Sequence, residues 1–445
     1  MDRRNFLKQS ALVSLGGLLL PSTFLSSCSK DTLFEETDYD GKVTIIGAGA
    51  AGLYAAYVLK SKGIDFEILE ASNKYGGRVG KLDTFANFPI DLGAQWMHGT
   101  NTILGDIALK SKTKITVDES EAVFWFQNQL VESLPKDISI FSGEDLPDVS
   151  YQEYASQKGF GEEYKYIVEN IAGDQGAAAA RLSAKYNGID EEKLNSGDDD
   201  LKFEETFFDF IDREIAVHVK DKIQLNTIVK KIDYSSDKIS ITDSNNSVYT
   251  TDKVIITVPI TILQDGDIEF SPVLPSAQTA AFNKIGMDAG MKVFMKFSSR
   301  FYEQNIIGGE VCAAYADDSV GKSANDNVLL GFVMGIQAEE LTALGSDEAI
   351  VNALLAELDT MYEGQATASF IDSHVENWTT NPFVKGAYSY SSVGIGDARK
   401  EAAKPVNDKL FFAGEAMAAT GYQSVQGAVE TGYREVINLL NTVKK

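Results

Sequence analysis

Apolar and polar positions follow two rhythms along this chain, and each change of rhythm marks an element. Residues 43–46, Val-Thr-Ile-Ile, form a short β-branched run suited to a buried strand. Apolar residues then recur at helical spacing through Leu53, Ala56, Tyr57 and Leu59, and a second strand is predicted over 65–69. Residues 100–200 are mixed. A helical stretch is predicted over 151–171, and the alanine run at 177–180 favours helix by propensity. A loop at 196–200 precedes an aromatic-rich helix expected over 201–219. From Ile223 the period becomes two. Residues 225–232 read as one strand, 238–242 and 248–250 flank a turn, and 254–258 is a buried strand closing on Pro259. Pro272 and Pro275 mark a change of domain. Strands follow at 292–297 and 328–334, with a helix at 347–361, and the chain ends on a strand at 410–413 and a helix at 425–440.

The first strand, helix and strand enclose Gly47-Ala48-Gly49-Ala50-Ala51-Gly52, a GxGxxG turn. Gly47 permits the tight turn, Gly49 lets backbone approach a pyrophosphate, and Gly52 lets helix and strand pack closely. The helix N-terminus faces the phosphate charge. Glu70 ends the second strand roughly 20 residues on, where a carboxylate can take both ribose hydroxyls. This is a dinucleotide site. Arg78, presented on the Gly76-Gly77 turn, can reach the pyrophosphate from the other side.

Composition adds limits. The chain has 445 residues, enough for two domains and a large core. Net charge is −25, and beyond the first 27 residues 37 basic side chains face 64 acidic ones. Such a surface disfavours nucleic acid and attracts small cations. Cys28 and Cys312 cannot supply a zinc site or a disulfide framework, and His98, His218 and His374 are too scattered for a metal cluster. Residues 1–28 read as a leader. Asp2-Arg3-Arg4-Asn5-Phe6-Leu7-Lys8 looks like a twin-arginine signal, residues 11–20 are too short an apolar run to span a bilayer, and Leu25-Ser26-Ser27-Cys28 resembles a lipobox. Lipid on Cys28, with 29–40 as tether, is then the expected membrane contact of a periplasmic or cell-surface lipoprotein.

The stretch "ILEASNKYGGRV" resembles the FAD fingerprint of the flavin-containing amine oxidase superfamily, and other motifs resemble its polyamine and spermine oxidases. The resemblance implies an α/β fold: a Rossmann-like, glutathione-reductase-type FAD domain with an inserted α+β substrate domain. The FAD domain is expected from 41–99, 201–271 and 385–445, and the substrate domain from 100–200 and 272–384. Cofactor contacts are implied at Gly47, Gly49, Ala51, Gly52, Glu70, Ala71, Gly77 and Arg78, with Val229 at the adenine. Gly93-Ala94-Gln95-Trp96-Met97-His98-Gly99 resembles a loop that lies against the flavin ring, with His98 beside the substrate amine. Gly290 to Phe297 resembles a strand whose lysine, here Lys292, is linked through a water to flavin N5. In the segment from Trp378 to Tyr390, Trp378 is expected beside the flavin and Tyr388 as one wall of an aromatic slot, while Ala387 stands where some relatives bind FAD through cysteine. FAD is therefore expected to be non-covalent. Gly414 and Glu415 match a second FAD motif, and free N–H groups at Val425 are expected at flavin N1/O2. Ser424 replaces a second slot tyrosine and opens that wall unless Tyr422 takes its place. Lys202-Phe203 departs from the usual glycine-tyrosine turn.

The resemblance implies oxidation of an amine, in particular a polyamine, to an imine that hydrolyses to aldehyde and amine, with oxygen reduced to hydrogen peroxide. Catalytic roles fall on Lys292, His98 and Tyr388, without metal. An exported amino-acid oxidase or another flavin oxidoreductase of the superfamily is the alternative. The loop at His98 lacks the arginine that holds an amino-acid carboxylate. The preferred amine and the oligomeric state stay open.

Overall fold

The computed structural model describes residues 39–143, 145–193, 196–197, 200–322 and 326–443. The leader, Cys28 and nearly all of the tether expected at 29–40 lie outside the described residues.

The β-branched runs assemble first into a parallel sheet. Its order is Ile223–Gln224, Phe66–Leu69, Val43–Ile46, Lys253–Ile256 and Leu410–Phe412. Val43 to Ile46 lie in the middle and are all buried, as a central parallel strand covered on both faces must be. The glycine turn leads into the helix Ala50–Ser61, nine of whose residues are buried. The terminal helix Val425–Val443 crosses it at Gly432. A Cβ at Gly432 would sit 2.3 Å from the Ala51 carbonyl oxygen, so this approach needs glycine.

A second, seven-stranded sheet runs Phe370–Asn377, Gly290–Phe297, Asn327–Met334, Ala314–Asp317, Asn305–Ile307, Ala122–Phe126 and Gln129–Val131. One face packs Met291, Val293 and Met295 against Ile350, Leu354 and Leu358 of the helix Asp347–Met361. The other carries Lys292 and Phe294, the latter packed with Trp378 and Leu330. A four-stranded sheet of Val229–Asp233, Ile239–Asp243, Val248–Thr251 and Glu269–Ser271 flanks the parallel one. The helix Ile103–Ser111 packs Leu104 and Ala108 into the core beneath the glycine turn, so residues just past 100 belong physically with the nucleotide side.

Four local expectations are corrected. Residues 177–180 are not helix: Ala178 N donates to Asp288 Oδ2 at 2.8 Å and Ala179 N to Glu169 Oε2 at 2.9 Å, so two carboxylates outcompete helix bonds. Residues 200–203 form the strand Asp200–Phe203, between Trp96–His98 and Ile115–Val117, and helix begins only at Phe207, where Thr206 accepts from Asp209 N at 3.1 Å. The stretch 225–232 breaks at Asn226 (φ 56°), where Asn226 N and Thr227 N bond the carbonyls of Ser72 and Glu70. Within 151–171 two helices, Tyr151–Gln157 and Lys165–Asp174, replace one continuous run. Among the described residues no helix is long and apolar enough to cross a membrane.

Candidate active site

Backbone crowding shapes one end of a cavity of about 450 Å³. Gly47 has φ 104°, and its missing side chain leaves room for Thr257 Oγ1, 2.5 Å from where a Cβ would stand. A Cβ on Gly52 would lie 2.0 Å from the Gly47 carbonyl oxygen. Gly49 caps the helix with no side-chain bond, and no acid occupies the first turn. The first N–H groups of the helix are thus available to an anion. Gly77, at φ 60°, brings a second backbone strand in, with its Cβ position 3.2 Å from Gly49 Cα. Glu70 is pinned by the N–H groups of Ala48 and Ser72, at 2.7 and 2.9 Å. Ala51, Ala71 and Val229 line the same cavity. These features fit a dinucleotide: a cradle that any side chain would fill, unspent amides for the phosphates and a fixed carboxylate for the ribose.

Arg78 and Glu415 meet midway. Arg78 Nη1 donates to Glu415 Oε1 at 2.9 Å and to the Ala387 carbonyl at 3.0 Å. Glu415 also accepts from Ser389 Oγ at 2.7 Å and Gln423 N at 3.0 Å. Burial alone would raise its pKa, but Arg78, Ser389 and Arg399 hold it below the ordinary carboxylate range. Gly414 beside it has φ 124°. The pair ties the Gly-Gly turn to the last third of the chain.

The other end gathers Gly93, Ala94, Gln95, Trp96, His98, Lys292, Trp378, Tyr388, Ser424 and Val425. Gly93 is forced by contact, its Cβ position falling 1.8 Å from the Arg78 carbonyl oxygen. Trp378 is fixed by a 3.0 Å bond from Nε1 to the Leu92 carbonyl. Lys292 is 3% exposed. Its Nζ donates to the Asp91 carbonyl at 3.0 Å and to Gln95 Oε1, and lies 5.9 Å from the centre of the Trp96 ring. Burial drives its pKa down to about 8 against the pull of Asp318 and Asp91. Burial likewise raises the Asp91 carboxyl, opposed by Lys322 and Lys292.

Tyr388 shares its hydroxyl proton between the carbonyls of Asp174 and Gly173, at 3.0 and 3.2 Å. This sets the ring against the C-terminus of the helix Lys165–Asp174, whose Glu169 and Asp174 carboxylates also line the cavity. Burial lifts the Glu169 carboxyl above its usual range, although Ala179 N, Lys165 and Arg181 oppose it. Tyr422 does not replace the missing slot tyrosine. It is buried under Arg399, whose guanidinium carbon stands 3.7 Å from its ring centre, and Ser424 takes the cavity wall.

The motifs left several residues unmarked. Asp200 sits opposite His98 in register and binds its Nδ1 at 2.5 Å. Lys202, opposite Trp96, is 6% exposed, pairs with Asp118 at 3.1 Å and lies 5.3 Å from the Trp96 ring centre. Trp96 Nε1 also donates to Asp118, at 2.8 Å. The usual glycine-tyrosine turn is thus replaced here by a buried cation on the far side of the loop. Only the pairing of strands about 100 residues apart brings these groups together, and nothing local announces it.

Fold and cradle define a dinucleotide-dependent oxidoreductase of the two-domain flavoprotein type. The model of the family described as flavin containing amine oxidoreductase matches residues 50–216 and 208–440, and the chain belongs to that family. It is 27% identical over 465 residues to human lysine-specific histone demethylase 2, a match covering 94% of this chain and 55% of that one, so the chain spans about half of that relative's length. It is 26% identical over 438 residues to polyamine oxidase 2 of Arabidopsis thaliana, covering 88% of this chain and 86% of that one. The fold is similar to that of wild-type putrescine oxidase bound to putrescine, with TM-score 0.75 at 21% identity over 91% of this chain and 99% of that one. It is also similar to cyclohexylamine oxidase from Brevibacterium oxydans, with TM-score 0.77 at 19% identity over 92% of this chain and all of that one.

Proposed function

We propose that this protein is an FAD-dependent amine oxidase acting on polyamines and returning electrons to oxygen as hydrogen peroxide. The observation that carries the reading is the single cavity that joins the dinucleotide cradle to buried Lys292 and Trp378 and to half-buried Trp96 and Tyr388. FAD is held without a covalent bond. Ala387 offers no nucleophile, and Cys312, the one described cysteine, is buried in another core.

Bound flavin would supply the redox chemistry, a two-electron acceptor for the C–H beside the amine nitrogen and a route for those electrons to oxygen; the oxidised amine, an iminium, is then hydrolysed by water. The chain does the rest. Glu70 would hold the ribose, and the helix terminus at Gly49 would hold the pyrophosphate. Asp200 fixes the tautomer of His98 by accepting from Nδ1, leaving Nε2 to take the proton of the incoming ammonium. Neutralising the nitrogen matters, because only an unprotonated nitrogen has the lone pair that stabilises the departing hydride's carbon. Tyr388 aligns the amine by its ring face. Lys292 holds a water at the cavity wall and presents positive charge where oxygen is reduced. Glu169 and Asp174 favour a substrate with more than one positive charge.

An amino-acid oxidase is not favoured: Arg78 is the one arginine lining the cavity among the described residues, and it is paired with Glu415. The test is a peroxide assay of yellow holoprotein against polyamines, acetylated polyamines, monoamines and amino acids. Turnover of amino acids alone overturns the substrate reading, and failure to bind FAD overturns all of it. Export with lipid on Cys28 is part of the proposal. An unmodified Met1 terminus, found by mass spectrometry on protein from the native host, removes it.

A further inference from the structure

From Lys292 a line of side chains runs through Gln95, also on the cavity wall, to Asp318, which does not line the cavity. Nζ donates to Gln95 Oε1, and Gln95 Nε2 donates in turn to Asp318 Oδ1 at 3.4 Å. The three come from different places: Lys292 from the strand Gly290–Phe297, Gln95 from the loop before Trp96, and Asp318 from the turn that follows Ala314–Asp317. Each is at least nine-tenths buried. The Asp318 backbone is itself fixed, its N–H bonding the Val328 carbonyl at 3.0 Å.

An amide between an ammonium and a carboxylate has one favourable orientation. Its oxygen faces the ammonium and its NH₂ faces the carboxylate. Turned over, both contacts set like against like. Asp318 therefore decides which end Gln95 shows to Lys292. The other charges around Lys292 are already engaged. The Asp91 carboxylate accepts from Phe207 N at 2.8 Å, and Lys202 pairs with Asp118. Lys322 Nζ donates to the Phe203 carbonyl at 3.3 Å, and Glu376, opposite Lys292 on the neighbouring strand, lies 3.7 Å from His374.

We propose that Asp318 is a positioning residue for Lys292, acting through Gln95 to keep the lysine protonated and aimed at the cavity wall. Low polarity works against that protonated state and Asp318 is the first counter-charge opposing it, ahead of Asp91; burial raises the Asp318 carboxyl too, and Lys292, Lys202 and Lys322 oppose that rise. The inference rests on the reading of Lys292 as the group that assists reoxidation, but its first test does not use that reading.

Full-length holoprotein labelled with ¹³C at lysine Cε is titrated by NMR, with Lys292→Met identifying the resonance. Asp318→Asn is expected to lower the Lys292 midpoint by one pH unit or more, and Asp318→Glu to recover most of the shift. Gln95→Leu should move it the same way, and the double variant no further than the larger single change. An unchanged midpoint, or full additivity, overturns the proposal. Should Asp318→Asn fail to fold, Gln95→Glu must raise the midpoint, and no rise overturns it equally. Stopped-flow separates the two readings. Asp318→Asn should move the alkaline limb of flavin reoxidation down by the same interval, leave anaerobic reduction within twofold, and add nothing in a Lys292→Met background. A shifted midpoint with unchanged reoxidation sustains the coupling and removes the role of Lys292 instead.

Discussion

At the scale of single residues, crowded backbone sets the strictest demands. The Gly52 position leaves a side chain 2.0 Å from a carbonyl oxygen, and no rotamer relieves a clash that begins at Cβ. Gly52→Ala should therefore cost about 1–3 kcal/mol by overpacking and weaken FAD binding, because relief requires the helix to back away from the phosphate turn. Thermal unfolding with and without added FAD checks this; a variant with wild-type midpoint and full flavin content contradicts it. Lys292 makes the opposite kind of demand, chemical and not steric. Lys292→Met should keep FAD at wild-type stoichiometry while slowing reoxidation at least about tenfold, the loss of one electrostatic contributor of roughly 1.4 kcal/mol or more. Rapid mixing of the reduced protein with oxygen reads this directly, and an unchanged rate contradicts it. Much of this was legible from the chain alone. Gly47, Gly52 and Glu70 sit in a local pattern whose spacing states their task, whereas Lys292 is marked only by its resemblance to a family motif. Asp200, Lys202 and Asp318 were not legible, because each acquires meaning only from a partner brought in from a distant strand. Whether Tyr422 takes the slot wall is not legible for a related reason: sequence places it two residues from Ser424 but cannot show that Arg399 covers it.

At the scale of elements, the apolar period was a sound guide wherever tertiary partners agreed with it. Four of the five parallel strands and the helix Asp347–Met361 lie where the pattern put them, and only the edge strand Ile223–Gln224 does not. It failed where a tertiary partner outbid local preference, as at 177–180, where two carboxylates take the amides, and at 201–203, where two neighbouring strands take residues expected to start a helix. Elements far apart in sequence are joined at Glu415, which binds the Gly-Gly turn through Arg78 and the Tyr388 segment through Ser389. That joint carries a pH signature. The folded-state pKa of Glu415 is depressed, so its contribution is present above the unfolded carboxylate value and is lost as pH falls through the folded one. Glu415→Gln should lower the unfolding midpoint by a constant amount between about pH 5.5 and 8, and by progressively less below about pH 4.3. A difference that grows on acidification contradicts the assignment. Gly432 joins elements by closeness instead. Gly432→Leu must push the terminal helix off Ala51, and should destabilise by about 1–3 kcal/mol without changing the pH profile.

At the scale of the whole molecule, net charge and cavity chemistry point the same way. The chain carries −25 overall, and the cavity adds Glu169 and Asp174 beside Tyr388. A polycation approaching such a surface is drawn in over distances set by the Debye length, about 10 Å at 0.1 M salt and longer below it. Steering acts on encounter, so it belongs to kcat/KM and not to kcat. The attraction scales with ligand charge, which separates it from a general effect of salt on the fold. Between about 0.02 and 0.3 M ionic strength, kcat/KM for a tri- or tetra-amine should fall several-fold, that for a monoamine much less, and kcat for either should stay level. Peroxide release measured across that range with matched monovalent salt gives the comparison. Parallel slopes for mono- and polyamine remove steering and leave the acidic surface as a matter of solubility. A level response for the polyamine, with turnover intact, places recognition entirely in short-range contacts inside the cavity, where Glu169→Gln and Asp174→Asn then become the variants that raise KM for the longer substrate.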